Sequence, residues 1–222
     1  DRCLSRGLGD VYKRQAKEGA KLLMTVDCGI SNKESIARSK ELGMDTIVCD
    51  HHTLPDKLPD AILIHPLVPG ETYPNKTLCG TGVASKLAWA LIEEARVRGA
   101  DFAQGYEKWL LDLVSIATVT DVMPLLGENR ALEYYGLQVL GKTRREGLKK
   151  LMDVASVKKN KIDTWAVGWQ IGPRINAAGR MGSARQAFEL LVEEGDLEAS
   201  VRAVELNMTN LSRQKASDAL YE

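Results

Sequence analysis

Two short apolar runs, residues 22–26 and 46–49, flank a segment with helical periodicity, and the gap between them is too long for a hairpin but suits one crossover helix. Strand, helix and strand at this spacing dictate a parallel pair with a right-handed connection. A third run, residues 61–64, ends before His65 and Pro66 and extends the same sheet. The run at 22–26 reads as a strand buried in such a sheet. Ser31 and Glu34 have the spacing of a capping box, Ile36 faces inward, and Gly43 stops the crossover helix. The fold class that follows is α/β: a parallel sheet flanked by helices, then a helical segment and a long closing helix.

The later sequence is helical in pattern. After a Pro- and Gly-rich loop at 66–75, Gly80-Thr81-Gly82 opens a helix carrying Val83, Leu87, Ala88, Leu91 and Ile92. Residues 109–119 form an apolar helix that ends at Asp121 and Pro124, and shorter helices are expected over 130–140 and 145–154. The stretch 165–182 holds Gly172, Pro173, Gly179 and Gly182 and reads as a shaped loop, with Trp165 and Trp169 read first as core residues and otherwise as platforms on which bases stack. In the closing helix Leu197, Val201, Val204, Met208 and Leu211 recur at alternating spacings of four and three, a stripe that requires a partner. The first fifteen residues lack sustained periodicity and read as a non-native or unrelated leader.

Composition narrows the function. A chain of 222 residues with 44% hydrophobic and 27% charged residues can bury a real core, which excludes disordered and collagen-like classes. Thirty basic and thirty acidic residues cancel, so any nucleic-acid role must rest on local charge. Between Gly141 and Arg185 there are eleven Lys or Arg against three Asp or Glu, a block that either tracks phosphates or forms a solvated face. The four cysteines form no CxxC pair, no secretory signal is recognisable, and no apolar stretch is long enough for a transmembrane helix. These features point to a reduced cytoplasmic setting without a membrane partner.

Ligands of open parallel sheets bind beyond the carboxyl ends of the strands. Here one strand ends in Asp27 and the next in Asp50, His51 and His52, and carboxylate oxygen with imidazole nitrogen is a donor set for Mn²⁺, Mg²⁺ or Zn²⁺. Asp121 follows an apolar helix, an odd place for a charge unless it faces a cation. His65 reads equally as a packed or turn histidine and as a ligand. Gly80 and Gly82 either offer backbone amides to an anion or allow close helix packing.

The Asp50-His51-His52 triplet, with Asp27 in Val26-Asp27-Cys28-Gly29, resembles the DHH phosphoesterase superfamily. The segments LCGTGVASKLAWAL from Leu78, SIATVTDVMPLLGENR from Ser115, GPRINAAGRMGSARQAFELL from Gly172 and LNMTNLSRQ from Leu206 are similar to its single-stranded-DNA exonuclease branch. The resemblance implies a two-metal phosphodiesterase run with Mn²⁺ or Mg²⁺, hydrolysing single-stranded DNA from the 5′ end in recombination and repair. It assigns Asp27, His51 and Asp121 to the metal, Asp50 to orienting His51, and His52 to the substrate phosphate. It assigns Arg174, Asn176 and Arg180 to phosphate contact, with Arg174 also stabilising developing charge; Gly80 and Gly82, from their place at a helix start, are the further candidate substrate contacts. It divides the chain into a leader at 1–15, a partial DHH domain at 16–195 and, from 196, the start of a connecting helix toward a DHHA1 domain. An aspartate-rich strand expected upstream of Asp27 has no counterpart in the sequence, so the chain is expected to be an internal fragment, inactive or very weak alone. Two alternatives stay open: another DHH phosphoesterase acting on short oligonucleotides, cyclic dinucleotides or pyrophosphate, and a non-catalytic nucleic-acid-binding module.

Overall fold

A computed structural model describes residues 14–219, so most of the segment read as a leader lies outside the described residues. The chain forms two compact units. The first runs to Phe102 and includes Met123–Asn129; the second takes Ala103–Val122 and the residues from Arg130 on.

The first unit contains a three-stranded parallel sheet in the order β1 (Leu22–Val26), β2 (Asp45–Cys49), β3 (Ile62–Ile64). Helix α1 (Lys33–Glu41) makes the crossover and buries Ile36 and Ser39, whose hydroxyl donates to Ile36 O at 2.7 Å and lies 2.8 Å from Thr46 Oγ1. Gly43, at φ 78°, stops it as the sequence predicts. Its start differs from expectation. The N-cap is Asn32, with no side-chain capping bond, so Ser31 and Glu34 form no capping box; Asn32 N–H instead closes a turn onto Gly29 O at 2.9 Å. β1 also differs: Leu23 and Thr25 are buried while Leu22, Met24 and Val26 are exposed. The one polar residue of this run, Thr25, lies on the buried face, so polarity does not reveal which of the two alternating faces is covered. Helix α2 (Gly80–Val97) completes the unit; its N-cap, Cys79, accepts Gly82 N–H on Sγ at 3.3 Å.

The second unit is helical. A 3₁₀ turn, Tyr106–Leu110, leads into α3 (Leu111–Thr120). Helix α4 (Gly127–Leu140) brings the chain into this unit, and α5 (Glu146–Val154), α6 (Gly172–Met181), α7 (Arg185–Val192) and α8 (Asp196–Asp218) follow. The core gathers Leu140, Leu148, Leu151, Met152, Val167, Ile171, Leu190 and Leu206.

The stretch 165–182 is not a loop. It is a π-helical segment, Ala166–Ile171, continued by α6. Pro173 is accommodated in the first turn, where a missing N–H costs nothing. Gly172 is there for close packing, since a Cβ would collide with Thr120 Cγ2. Trp165 and Trp169 are 59% and 70% exposed, so they are not core residues. Helix α8 packs through Ala199, Ala203, Leu206 and Asn210, leaving the Leu197, Val201, Val204, Met208 and Leu211 stripe exposed. Among the described residues no helix is long and apolar enough to cross a membrane.

Candidate metal centre

Strand register builds the centre. Val26 pairs with Cys49 and Cys49 with Ile64, and the ladder runs one residue further: Asp27 N–H donates to Cys49 O at 2.9 Å, and Asp50 N–H to Ile64 O at 3.2 Å. Two aspartates therefore leave adjacent strands at the same edge. Asp27 leaves at φ 61°, a left-handed conformation that costs a non-glycine residue about 1 kcal/mol or more. This turn, at the head of the centre, is one place where the backbone carries strain.

The space Asp27 occupies is made by Gly80. A Cβ on Gly80 would collide with Asp27 Oδ1, so the carboxylate lies against the first turn of α2, where the helix dipole favours a negative charge. Nothing near Asp27 in sequence marks this contact. Gly82 has its amide on Cys79, and Gly80 shelters Asp27.

Asp50, 1% exposed, organises the triplet. Its Oδ1 accepts His51 N–H at 2.8 Å, His52 N–H at 3.3 Å and His52 Nδ1–H at 2.7 Å, and its Oδ2 accepts Ile30 N–H at 3.0 Å. Burial raises the Asp50 pKa, but the His52 ring and the three backbone amides together outweigh it and hold the carboxyl below its ordinary range. The expectation that Asp50 orients the His51 imidazole is corrected here. Asp50 holds the main chain of His51 and the ring of His52, because the tight turn after β2 brings both amides and the second ring to one carboxylate.

His51 Nε2 lies 3.1 Å from Asp27 Oδ1, and its side chain is largely buried. The His52 side chain is 57% exposed. With Nδ1–H on Asp50, its Nε2 is the atom that faces a ligand, a carboxylate–histidine arrangement that fixes tautomer and ring orientation. His65 is neither solvated nor a member of this donor set. Burial pushes its pKa down, its Nδ1 accepts Leu67 N–H at 3.1 Å, and its Nε2 donates to His52 O at 2.9 Å, which pins the His52 main chain. Cys28 is raised by burial and then by Asp50 and Asp27, so it stays a thiol.

One carboxylate and two imidazoles, from Asp27, His51 and His52, have ligand atoms within 4.8 Å of one another. That mixed carboxylate and imidazole donor set fits a divalent transition-metal ion such as Mn²⁺.

The remaining predicted residues belong to the second unit. Asp121 closes α3 as its C-cap. Arg174, on α6, donates through Nε to Asn207 Oδ1 at 2.9 Å and through Nη1 to Gln170 O at 2.6 Å, and burial lowers its pKa. Asn176 and Arg180 lie one turn apart, and with the Asn176 amide turned so that its oxygen faces the guanidinium, Oδ1 accepts from Arg180 Nε at 3.2 Å and Nη2 at 3.3 Å.

The family described as "DHH family, N-terminal domain" matches residues 2–118. The chain is 41% identical over 204 residues to the single-stranded-DNA-specific exonuclease RecJ of Bacillus subtilis, covering 91% of this chain and 25% of the relative. It is 38% identical over 222 residues to RecJ of Salmonella typhimurium, covering 96% of this chain and 38% of the relative. The crystal structure of RecJ from Thermus thermophilus in complex with Mn²⁺ superposes with a TM-score of 0.82 at 33% identity, over 95% of this chain and 31% of that one. The chain thus spans between a quarter and two fifths of the length of these relatives.

Proposed function

The chain belongs to the DHH family, and from that premise we propose that it carries the metal centre of an exonuclease that hydrolyses single-stranded DNA from the 5′ end. The observation that carries this reading is the gathering of Asp27, His51 and His52 at one sheet edge, in a chain 41% identical to a single-stranded-DNA-specific exonuclease. Its setting is the cytoplasm, which suits the free thiols of Cys28, Cys49 and Cys79, and its work is DNA recombination and repair, as the resemblance implies.

Asp27 and His51 hold the cation, Mn²⁺ or Mg²⁺. When bound, such ions lower the pKa of water and neutralise charge on phosphoryl oxygens. His52, the more exposed ring, donates from Nε2 to the scissile phosphate, and Asp50 stabilises the imidazolium this requires through Nδ1–H. His65 keeps the His52 main chain in place. Asp121 is assigned to the metal, and Arg174, Asn176 and Arg180 to phosphate, on the resemblance. The bidentate geometry of guanidinium suits phosphate contact. Arg174 is fixed by Asn207 and Gln170.

A chimera in which this chain replaces the matching segment of Bacillus subtilis RecJ tests the reading. Mn²⁺-dependent shortening of a 5′-phosphorylated, 3′-labelled single strand, with duplex spared and Asp27→Ala inactive, is the expected result. A chimera that binds Mn²⁺ but cuts only dinucleotides assigns the chain to another phosphoesterase activity. One that binds single strands without cutting them makes it a binding module.

A further inference from the structure

The second unit carries a basic cleft built from residues that the metal centre does not use. Lys142, Arg144, Lys149 and Lys159 line it around Trp109, and it is an open groove of about 500 Å³, room for a nucleotide unit. Carboxylates compensate half of this charge: Lys149 pairs with Glu146 at 2.6 Å and Lys159 with Asp153 at 2.6 Å. Among the described residues, Lys142 and Arg144 form no ion pair. The nearest buried acid, Asp112, is already engaged, accepting the Thr143 hydroxyl at 2.6 Å and Leu113 N–H at 2.7 Å and lying 3.3 Å from Arg145 Nε.

The cleft is preorganised. Thr143 is buried between Lys142 and Arg144, and its Oγ1 also accepts Arg145 N–H at 3.2 Å, so the turn joining α4 to α5 is tied down from within. The Arg144 guanidinium carbon sits 3.7 Å from the centroid of the Trp109 ring, a cation–π contact that holds a long side chain in one place. An arginine so placed offers N–H groups to an anion and a flat face to a base.

We propose that this cleft is an auxiliary subsite for the phosphate backbone of a single nucleic-acid strand, with Lys142 and Arg144 as its anion contacts. The proposal rests on the single-stranded-DNA reading above and adds to it a grip on the strand that needs no metal. It also gives a role to Lys142 and Arg144, two of the eleven basic residues in the block that begins at Gly141.

The test is binding of a fluorescein-labelled oligothymidylate to this chain in EDTA, followed by anisotropy across a salt series. Lys142→Ala with Arg144→Ala is compared with Lys33→Ala with Lys57→Ala, which removes two exposed lysines from the first unit, all variants being matched for Tm. The cleft variant is expected to bind about tenfold more weakly at 0.1 M salt, with the slope of log K against log salt shallower by about 1.4, while the control changes less than about twofold. Equal affinity and slope in the cleft variant, with wild type binding normally, overturn the subsite and leave the exonuclease reading standing. Absence of binding by the wild-type chain at low salt overturns the subsite, and the chimera then decides the exonuclease reading by itself. Displacement of the strand by polyglutamate as readily as by unlabelled oligonucleotide assigns the cleft to acidic polypeptides and overturns the proposal.

Discussion

The first unit places its chemistry with main chain, and the second places its own with side-chain packing. Asp27 and Asp50 are positioned by ladder bonds continuing one residue past β1 and β2, and the carboxylate of Asp50 then gathers three backbone amides and a ring. In the second unit Arg174 stands where it does because α6 packs against α8 and continues a π-helical segment packed on α3, and Arg144 because it lies on Trp109. Strand register is discrete, and a ligand set by it stays put when a neighbouring side chain is trimmed. Helix packing shifts more readily, so residues placed by it answer to changes in the core.

The sharpest way to break this contrast is at Glu133, a buried acid of α4 whose only side-chain hydrogen bond among the described residues is from Ser115 Oγ at 3.0 Å. Burial pushes its pKa up to about 7, the Ser115 bond offsetting part of the rise. Because the folded value lies above that of an exposed glutamate, the stability it contributes is complete below about pH 4 and is lost as pH rises through 7. The drop across that window is about 3 kcal/mol, and Glu133→Gln is expected to flatten it in denaturant titrations at a series of pH values. An unchanged slope in the glutamine variant means that Glu133 does not govern the second unit.

A smaller effect sharpens the other side. Gly80→Ala drives a methyl into the Asp27 carboxylate and is expected to weaken Mn²⁺ binding roughly tenfold by calorimetry, with the second unit's pH profile untouched. Unaltered affinity would show that Asp27 can move aside without loss. Smallest is the backbone term. Asparagine tolerates the left-handed region better than alanine, so Asp27→Ala should be less stable than Asp27→Asn by about 1 kcal/mol, although both lose the metal.

The same contrast explains what the sequence discloses. Asp27 and the Asp50-His51-His52 triplet are readable because a polar cluster directly after an apolar strand has one place to go in a parallel sheet. Gly80 is not readable as the partner of Asp27, because the contact joins residues far apart in the chain and a glycine leaves no side chain to signal it. Which imidazole Asp50 holds depends on a turn of two residues, below what residue spacing resolves. Trp165 and Trp169 read as core by composition, and the glycines of 165–182 read as a loop. In fact Gly172 brings α6 close to Thr120, and the tryptophans face outward. β1 hides its open face for a related reason: its outward residues are apolar and its one hydroxyl residue, Thr25, faces in, so hydrophobicity records that a strand packs, not on which side.

The pairing of Val26 with Cys49 also bears on how a lineage carrying this chain can drift. A one-residue deletion inside β1 would turn the residue now at its mouth toward the opposite face of the sheet, so length change there is excluded while the centre is under selection. Residues added at 54–58, between the triplet and β3, lengthen a loop on which no strand end depends. Length variation among descendants should therefore pile up in that loop and be absent from the two strands that precede it, a pattern written by hydrogen-bond phase rather than by the chemistry of any one side chain.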